Sequence, residues 1–164
     1  METGLLTDIV FLLEIGGKKT TAKKFLGNIA KNLLPYDRRL LLNKWNPEIG
    51  GGDKTVIEVH LFELKEIKKE IISFEDVLEG LKKRSLERPT IEEALKFAVK
   101  CSNVKMPVIF QRPVIFPIEP FIFWDCKYII SLPVSSTGRV AMQKITGPWG
   151  IKYQFAGVKR PKQL

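Results

Sequence analysis

Residues 106–134 read MPVIFQRPVIFPIEPFIFWDCKYIISLPV, the most apolar and aromatic-dense stretch of the 164-residue chain. Three similar units lie in it: Pro107–Phe110 (PVIF), Pro113–Phe116 (PVIF) and Pro120–Phe123 (PFIF). β-Branched and aromatic residues in short runs predict strands. Proline lacks an N–H for the ladder, so it belongs at strand starts, edges or bulges. The stretch therefore reads as the core of the fold, made of short strands that support a binding surface instead of forming it. Joint exposure of Phe121, Phe123 and Trp124 would turn it into a partner interface.

Beyond it the chain reads as a meander. Lys127–Val134 leads into the turn Ser135–Gly138, and Arg139–Ile145 alternates, with Val140 and Met142 on one side. A second turn, Thr146–Gly150 (TGPWG), follows, and then Ile151, Tyr153 and Phe155 share a face opposite Lys152 and Gln154. Val158–Leu164 reads as a frayed basic tail.

Before the stretch lie two helices with clear start signals. Ser73 caps the first, whose buried stripe is Phe74, Val77, Leu78 and Leu81. Thr90 caps the second, and Glu93 three residues on completes a capping box. Further upstream, Asp8–Ile15 (DIVFLLEI), stopped by Gly16-Gly17, predicts a buried strand. Thr21–Leu34 predicts a helix with Ala22, Phe25, Leu26, Ile29 and Leu33 on its apolar face, ended by Pro35. Asp37–Trp45 reads as a second strand, Thr55–Phe62 (TVIEVHLF) as a third. Residues 61–72 fit either a helical stripe or the return arm of a hairpin.

The sum is an α+β fold: an N-terminal strand-helix-strand-strand unit, two capped helices, then a short-stranded antiparallel β meander or small barrel-like sheet. One domain spans residues 1–164, divisible into an α+β portion (1–103) and a β-rich portion (104–164). A chain of this size hides roughly two-thirds of its unfolded surface, enough for a core without metal or disulfide staples. Cys101 and Cys126 are two thiols, too few for a disulfide framework. No apolar run reaches a membrane span of about 18 residues. An intracellular, cytoplasmic protein is the expectation.

Charge is the unusual feature: the chain carries +9. Lys18–Lys44 holds eight basic residues against one acid, and 101–164 holds nine against two, each a net of +7. Residues 54–100 balance ten against ten. Clustered positive charge favours polyanions.

Gly16–Thr21 (GGKKTT), between a strand and a helix, resembles a phosphate loop only in part. Position 12 is leucine, and Lys18 is followed by Lys19 where a nucleotide-binding loop needs Ser or Thr. Glu58 and His60 share a strand face as an acid of a metal-dependent nuclease would, yet no lysine accompanies Glu58. His60 is the only histidine, which removes multi-histidine metal sites. The paired acids Glu75/Asp76 and Glu92/Glu93 are accounted for by helix starts. The expected function is therefore nucleic-acid binding (DNA or RNA) without catalysis, metal or cofactor. The contacts assigned to it are Lys18, Lys19, Lys23, Lys24, Lys31, Arg38, Arg39, Arg139, Lys144, Trp149, Lys152, Tyr153, Lys159 and Arg160. Trp149, on a turn where burial looks difficult, is the aromatic singled out for base stacking. One alternative is an interaction or self-assembly subunit pairing through open strand edges. The other is a nuclease centred on Glu58.

Overall fold

The computed structural model describes residues 9–29, 31, 33, 35–45, 48–102, 112–132, 140–147, 149–150 and 153–161. Its elements run β1 (Ile9–Ile15), β2 (Thr20–Thr21), α1 (Ala22–Asn28), α2 (Pro35–Lys44), β3 (Glu48–Ile49), β4 (Thr55–Phe62), β5 (Ile71–Ile72), α3 (Phe74–Lys83), α4 (Ile91–Ser102), β6 (Val114–Phe123), β7 (Cys126–Leu132), β8 (Ala141–Lys144), β9 (Trp149–Gly150) and β10 (Gln154–Lys159). The fold is α+β. Six strands form one open sheet in the order β1-β4-β10-β6-β7-β8. All neighbours are antiparallel except β10 and β6, which run parallel.

The meander expectation holds for β6, β7 and β8 but not for the chain's last strand. β10 leaves the meander and inserts between β4 and β6. The sheet is therefore mixed and does not close into a barrel. The reason is burial. Phe155, Ala156 and Val158 are all buried, and a side chain the size of Phe155 or Val158 is worth roughly 1.5–3 kcal/mol when removed from water. Val158 and Lys159 consequently belong to a central strand, and only residues 162–164 of the tail lie outside the description.

The two faces of the sheet are covered unequally. On one, Phe97 of α4 meets Phe11 and Phe116 edge-on, with ring centroids 5.3 and 5.9 Å apart. On the other, α3 sits over β10 at Gly157, where an added Cβ would stand 2.5 Å from Leu81 Cδ2 and 2.9 Å from Leu86 Cβ. Only glycine lets the helix come so close. Beyond the reach of α3, Val10, Leu12 and Val56 on this face are exposed.

β6 corrects the reading of its prolines. It is one ten-residue strand containing Pro117 and Pro120, with a register break between Phe116 and Phe121. β10 pairs only with Val114 and Ile115, so both prolines fall where no strand asks for their N–H. Arg88 satisfies the backbone there instead: its Nε donates to Pro117 O at 3.0 Å and its Nη2 to Ile118 O at 2.6 Å. The unit Pro107–Phe110 lies outside the described residues.

Two further expectations change. Pro35 does not merely end α1, which stops at Asn28; it opens α2 as the first helical residue, where its missing N–H costs nothing. Asp37–Trp45 is thus mostly helix, not strand. Residues 63–70 are neither helix nor strand. Both helix caps are as expected. Ser73 Oγ accepts from Asp76 N–H at 3.1 Å, and Thr90 Oγ1 accepts from Glu93 N–H at 3.1 Å. Reciprocally, Asp76 and Glu93 accept from the cap N–H groups.

Glu93 is buried, and Arg160 at the end of β10 holds it. Arg160 donates to Glu93 Oε2 at 3.1 Å and Oε1 at 2.6 Å, to Arg88 O at 3.1 Å, and to Glu87. Burial alone would weaken the guanidinium's hold on its proton, but Glu93 and Glu87 outweigh it and move its pKa up. Arg160→Ala would leave Glu93 buried and unpaired, and should cost about 3 kcal/mol in urea denaturation. A loss below about 1 kcal/mol, the range of exposed pairs, would contradict this role. Gly157→Val should cost about 1–3 kcal/mol by overpacking despite valine's strand preference. A stabilised variant would show that α3 does not need the close approach.

Candidate functional site

The end of the β6–β7 hairpin concentrates the features a binding surface needs. Phe123 pairs with Cys126, leaving a two-residue turn of Trp124 and Asp125. Their φ angles are 52° and 59°, the left-handed pair that the twist of a tight hairpin requires. Asparagine and glycine usually fill such a turn; for a bulky residue each left-handed position costs about 1–2 kcal/mol. Trp124 recovers little by burial, since it is 82% exposed. The turn thus puts an indole into solvent at an energetic cost.

The rest of the hairpin end builds on this. Residues opposite one another in an antiparallel ladder share a face, so Phe121, Phe123, Tyr128 and Lys144 point the same way. Phe121 and Tyr128 are stacked, centroids 6.2 Å apart and planes 25° apart. Phe123 meets Trp124 edge-on at 5.8 Å. Phe121, Phe123 and Tyr128 are half-buried, so the three residues Phe121, Phe123 and Trp124 are exposed together only in part. Ile122 and Lys127 are exposed on the reverse face.

α2 brings basic charge to this end. Arg39, Leu40 and Asn43 line a cavity of about 250 Å³ together with Phe123. Arg38, one residue earlier, reaches α1, where a Cβ on Gly27 would lie 3.6 Å from its Nη2. Among the described residues, Lys23, Lys24, Lys31, Arg38, Arg39, Lys127 and Lys144 make no ion pair. Thus α2, in the first net-positive segment, adjoins the hairpin of the second.

Other residues assigned from sequence lie elsewhere. Trp149 is 1% exposed. Gly147, at φ 71°, turns the chain back so that Trp149 pairs with Ile72 and its ring packs 6.3 Å from Phe74 and 6.2 Å from Phe155. A ring so enclosed is core and offers no face to a base. Tyr153 is half-buried against that core. Arg160 is fully engaged with Glu93 and Glu87. Lys159 is exposed but lies in register opposite Glu58, on the α3 side of the sheet. Lys18 and Lys19 sit where two glycine loops cross, and Lys19 is 3.7 Å from Glu48. Arg139 and Lys152 are outside the described residues.

Glu58 and His60 do meet: His60 Nε2 is 2.8 Å from Glu58 Oε1. Lys159, the cross-strand neighbour of Glu58, supplies a lysine that its own strand lacks. Among the described residues, no three His, Cys, Asp or Glu side chains gather as a metal-holding group. A cavity of about 460 Å³ is lined by Trp45, Arg88, Thr90, Glu119 and Arg160, but both guanidiniums are bound to Glu87, Glu93, Glu119 and backbone carbonyls.

Both outer strands carry a side chain on their open edge. Lys100 Nζ donates to Leu12 O of β1, and Asp37 accepts the Met142 N–H of β8. Burial pushes the Asp37 carboxyl up, an effect the Met142 N–H partly offsets. Edge pairing with another chain would have to displace these groups. Cys101 is buried, which pushes its thiol up to about 12. Among the described residues, no helix is long and apolar enough to cross a membrane.

Comparison with known proteins finds no matching family, curated protein or solved structure.

From sequence, Trp124 reads only as part of a partner interface, not as a turn residue or a nucleic-acid contact, because Trp-Asp is not a turn dipeptide by composition. The signal was the arrangement of Phe121 and Phe123 opposite Tyr128 and Cys126 about positions 124–125. Replacing Trp124-Asp125 by Asn-Gly should raise stability by about 1–2 kcal/mol, measured as an upward shift of the urea midpoint. An unchanged or lowered midpoint would show that the Trp-Asp turn is not strained.

Proposed function

We propose that this chain binds nucleic acid without catalysis, through a basic surface centred on α2 and the end of the β6–β7 hairpin. The observation that supports the reading is the cavity shared by Arg39 and Phe123, which sets α2 of the first net-positive segment beside the hairpin of the second. Had these segments faced opposite sides, their charges would have been separated by more than the roughly 8–10 Å over which salt leaves a field effective. Arg39, Lys127 and Lys144 are exposed and have no acidic partner among the described residues, so they are available to phosphates. Sequence-independent affinity of this kind comes from release of counterions condensed on the nucleic acid.

Fluorescence anisotropy with labelled DNA and RNA oligonucleotides across a salt series tests it. Log affinity should fall linearly with log salt, and Arg39→Ala or Lys144→Ala should each reduce the slope by about one while weakening binding to all sequences alike. Absence of binding to any DNA or RNA at low salt would end the proposal.

A further inference from the structure

We infer that the hairpin end is a base-stacking platform, and that the chain prefers single-stranded nucleic acid to duplex. The inference rests on the nucleic-acid reading above and adds the strandedness of the ligand and the residue that selects it. Trp124 is the carrier. It occupies a left-handed turn position unsuited to a bulky residue, and its ring faces solvent, so its placement serves contact with something outside the fold. Phe123 stands edge-on behind it, and the stacked Phe121–Tyr128 pair continues the aromatic row along the same face.

The chemistry of the row favours stacking over groove reading. A two-stranded ribbon can enter the major groove of a duplex, but there it reads bases with Arg, Lys, Asn or Gln on its face. Between Phe121 and Tyr128 there is no Arg, Asn or Gln; the charged side chains are Lys127, on the reverse side, and Asp125 in the turn, which can accept only from cytosine and repels the phosphates of a groove wall. Duplex bases also hide their π-faces inside the stack, whereas an unpaired strand presents them to any aromatic ring. Lys144 beside Tyr128, and Arg39 beside Phe123, would then follow the strand's phosphates. From Phe121 to Trp124 the strand advances about 10 Å, room for roughly two or three bases. Charge complementarity argues against a neutral protein partner for this surface, despite the exposed Ile122.

The experiment uses the full chain and four probes: a single-stranded oligonucleotide of about twelve nucleotides, its duplex, an abasic strand of equal length, and phosphatidylserine vesicles. The single strand should bind roughly tenfold or more tightly than the duplex or the abasic strand, with quenching of tryptophan emission. Trp124→Ala should lower single-strand affinity to the abasic level without altering the salt slope, and Trp124→Phe should restore most of it. A Trp124→Gly variant, which suits the turn, should bind like Trp124→Ala, separating loss of the ring from loss of the turn. Equal affinity for single strand, duplex and abasic strand, unmoved by Trp124→Ala, would overturn the platform and leave the basic-surface reading standing. Binding to none of the nucleic acids would remove that reading as well. A blue shift on vesicles with no single-strand preference would assign the hairpin to an anionic membrane surface and overturn the inference.

Discussion

The two-sided pairing of β10 is the constraint on which the rest of the structure depends. Without it, the ribbon of β1 and β4 and the meander of β6, β7 and β8 share no ladder of hydrogen bonds. β10 supplies both joints, antiparallel to β4 and parallel to β6, and Arg160 at its end locks the join to the start of α4. Gly157 in its middle lets α3 close over one face. Because β10 pairs with only the first two residues of β6, the far half of β6 is free to carry prolines, to bulge, and to extend with β7 as a hairpin. The exposed end of that hairpin is therefore a consequence of where the pairing between β10 and β6 stops, at Phe155 and Ile115; farther along, Val158 of β10 exchanges backbone hydrogen bonds with Glu87 instead.

The distribution of cations follows a division of labour between arginine and lysine. Arg84, Arg88 and Arg160 point into the fold, where a planar fork of donors can satisfy several acceptors at once. Arg84 also lies over the ring of Phe62 at 4.4 Å and holds Glu66. Burial would raise the Glu66 carboxyl, but Arg84 and Lys83 bring it below the usual carboxylate range. These charges stabilise structure and add little to a binding field. Among the described residues, the exposed positive charge without an ion pair comes mainly from lysines and Arg39 around the first two helices and the hairpin. Counting basic residues along the chain overstates the surface because it cannot separate these two populations.

What was legible in the sequence was local. β4 has the bounds its alternation predicts, Thr55–Phe62, and Ser73 and Thr90 cap the helices their spacing indicates, because each signal is carried by residues a few positions apart. What was not legible depended on partners distant in the chain. Nothing within QFAGVK at 154–159 says that it pairs with residue 115 on one side and 62 on the other. Asp37–Trp45 has the apolar run of a strand, and its helical state follows from Pro35 opening a helix that packs near the hairpin. Trp124 and Trp149 depart from their expected roles for the same reason. Trp149 is covered by Phe74 and Phe155 from other elements, while Trp124 is exposed by a turn whose residues disguise it.

The central claim is that the hairpin end, not the sheet centre or the glycine loops, touches the ligand. Photo-cross-linking of a bromodeoxyuridine-substituted single strand to the full chain, followed by peptide mapping, tests it most directly. Cross-links are expected within Phe121–Tyr128, dominated by Trp124, whose ring is the most accessible of the large apolar side chains among the described residues. Cross-links confined to the Gly16–Lys19 loop or to the exposed strip of Val10, Leu12 and Val56, with none on the hairpin, would contradict it.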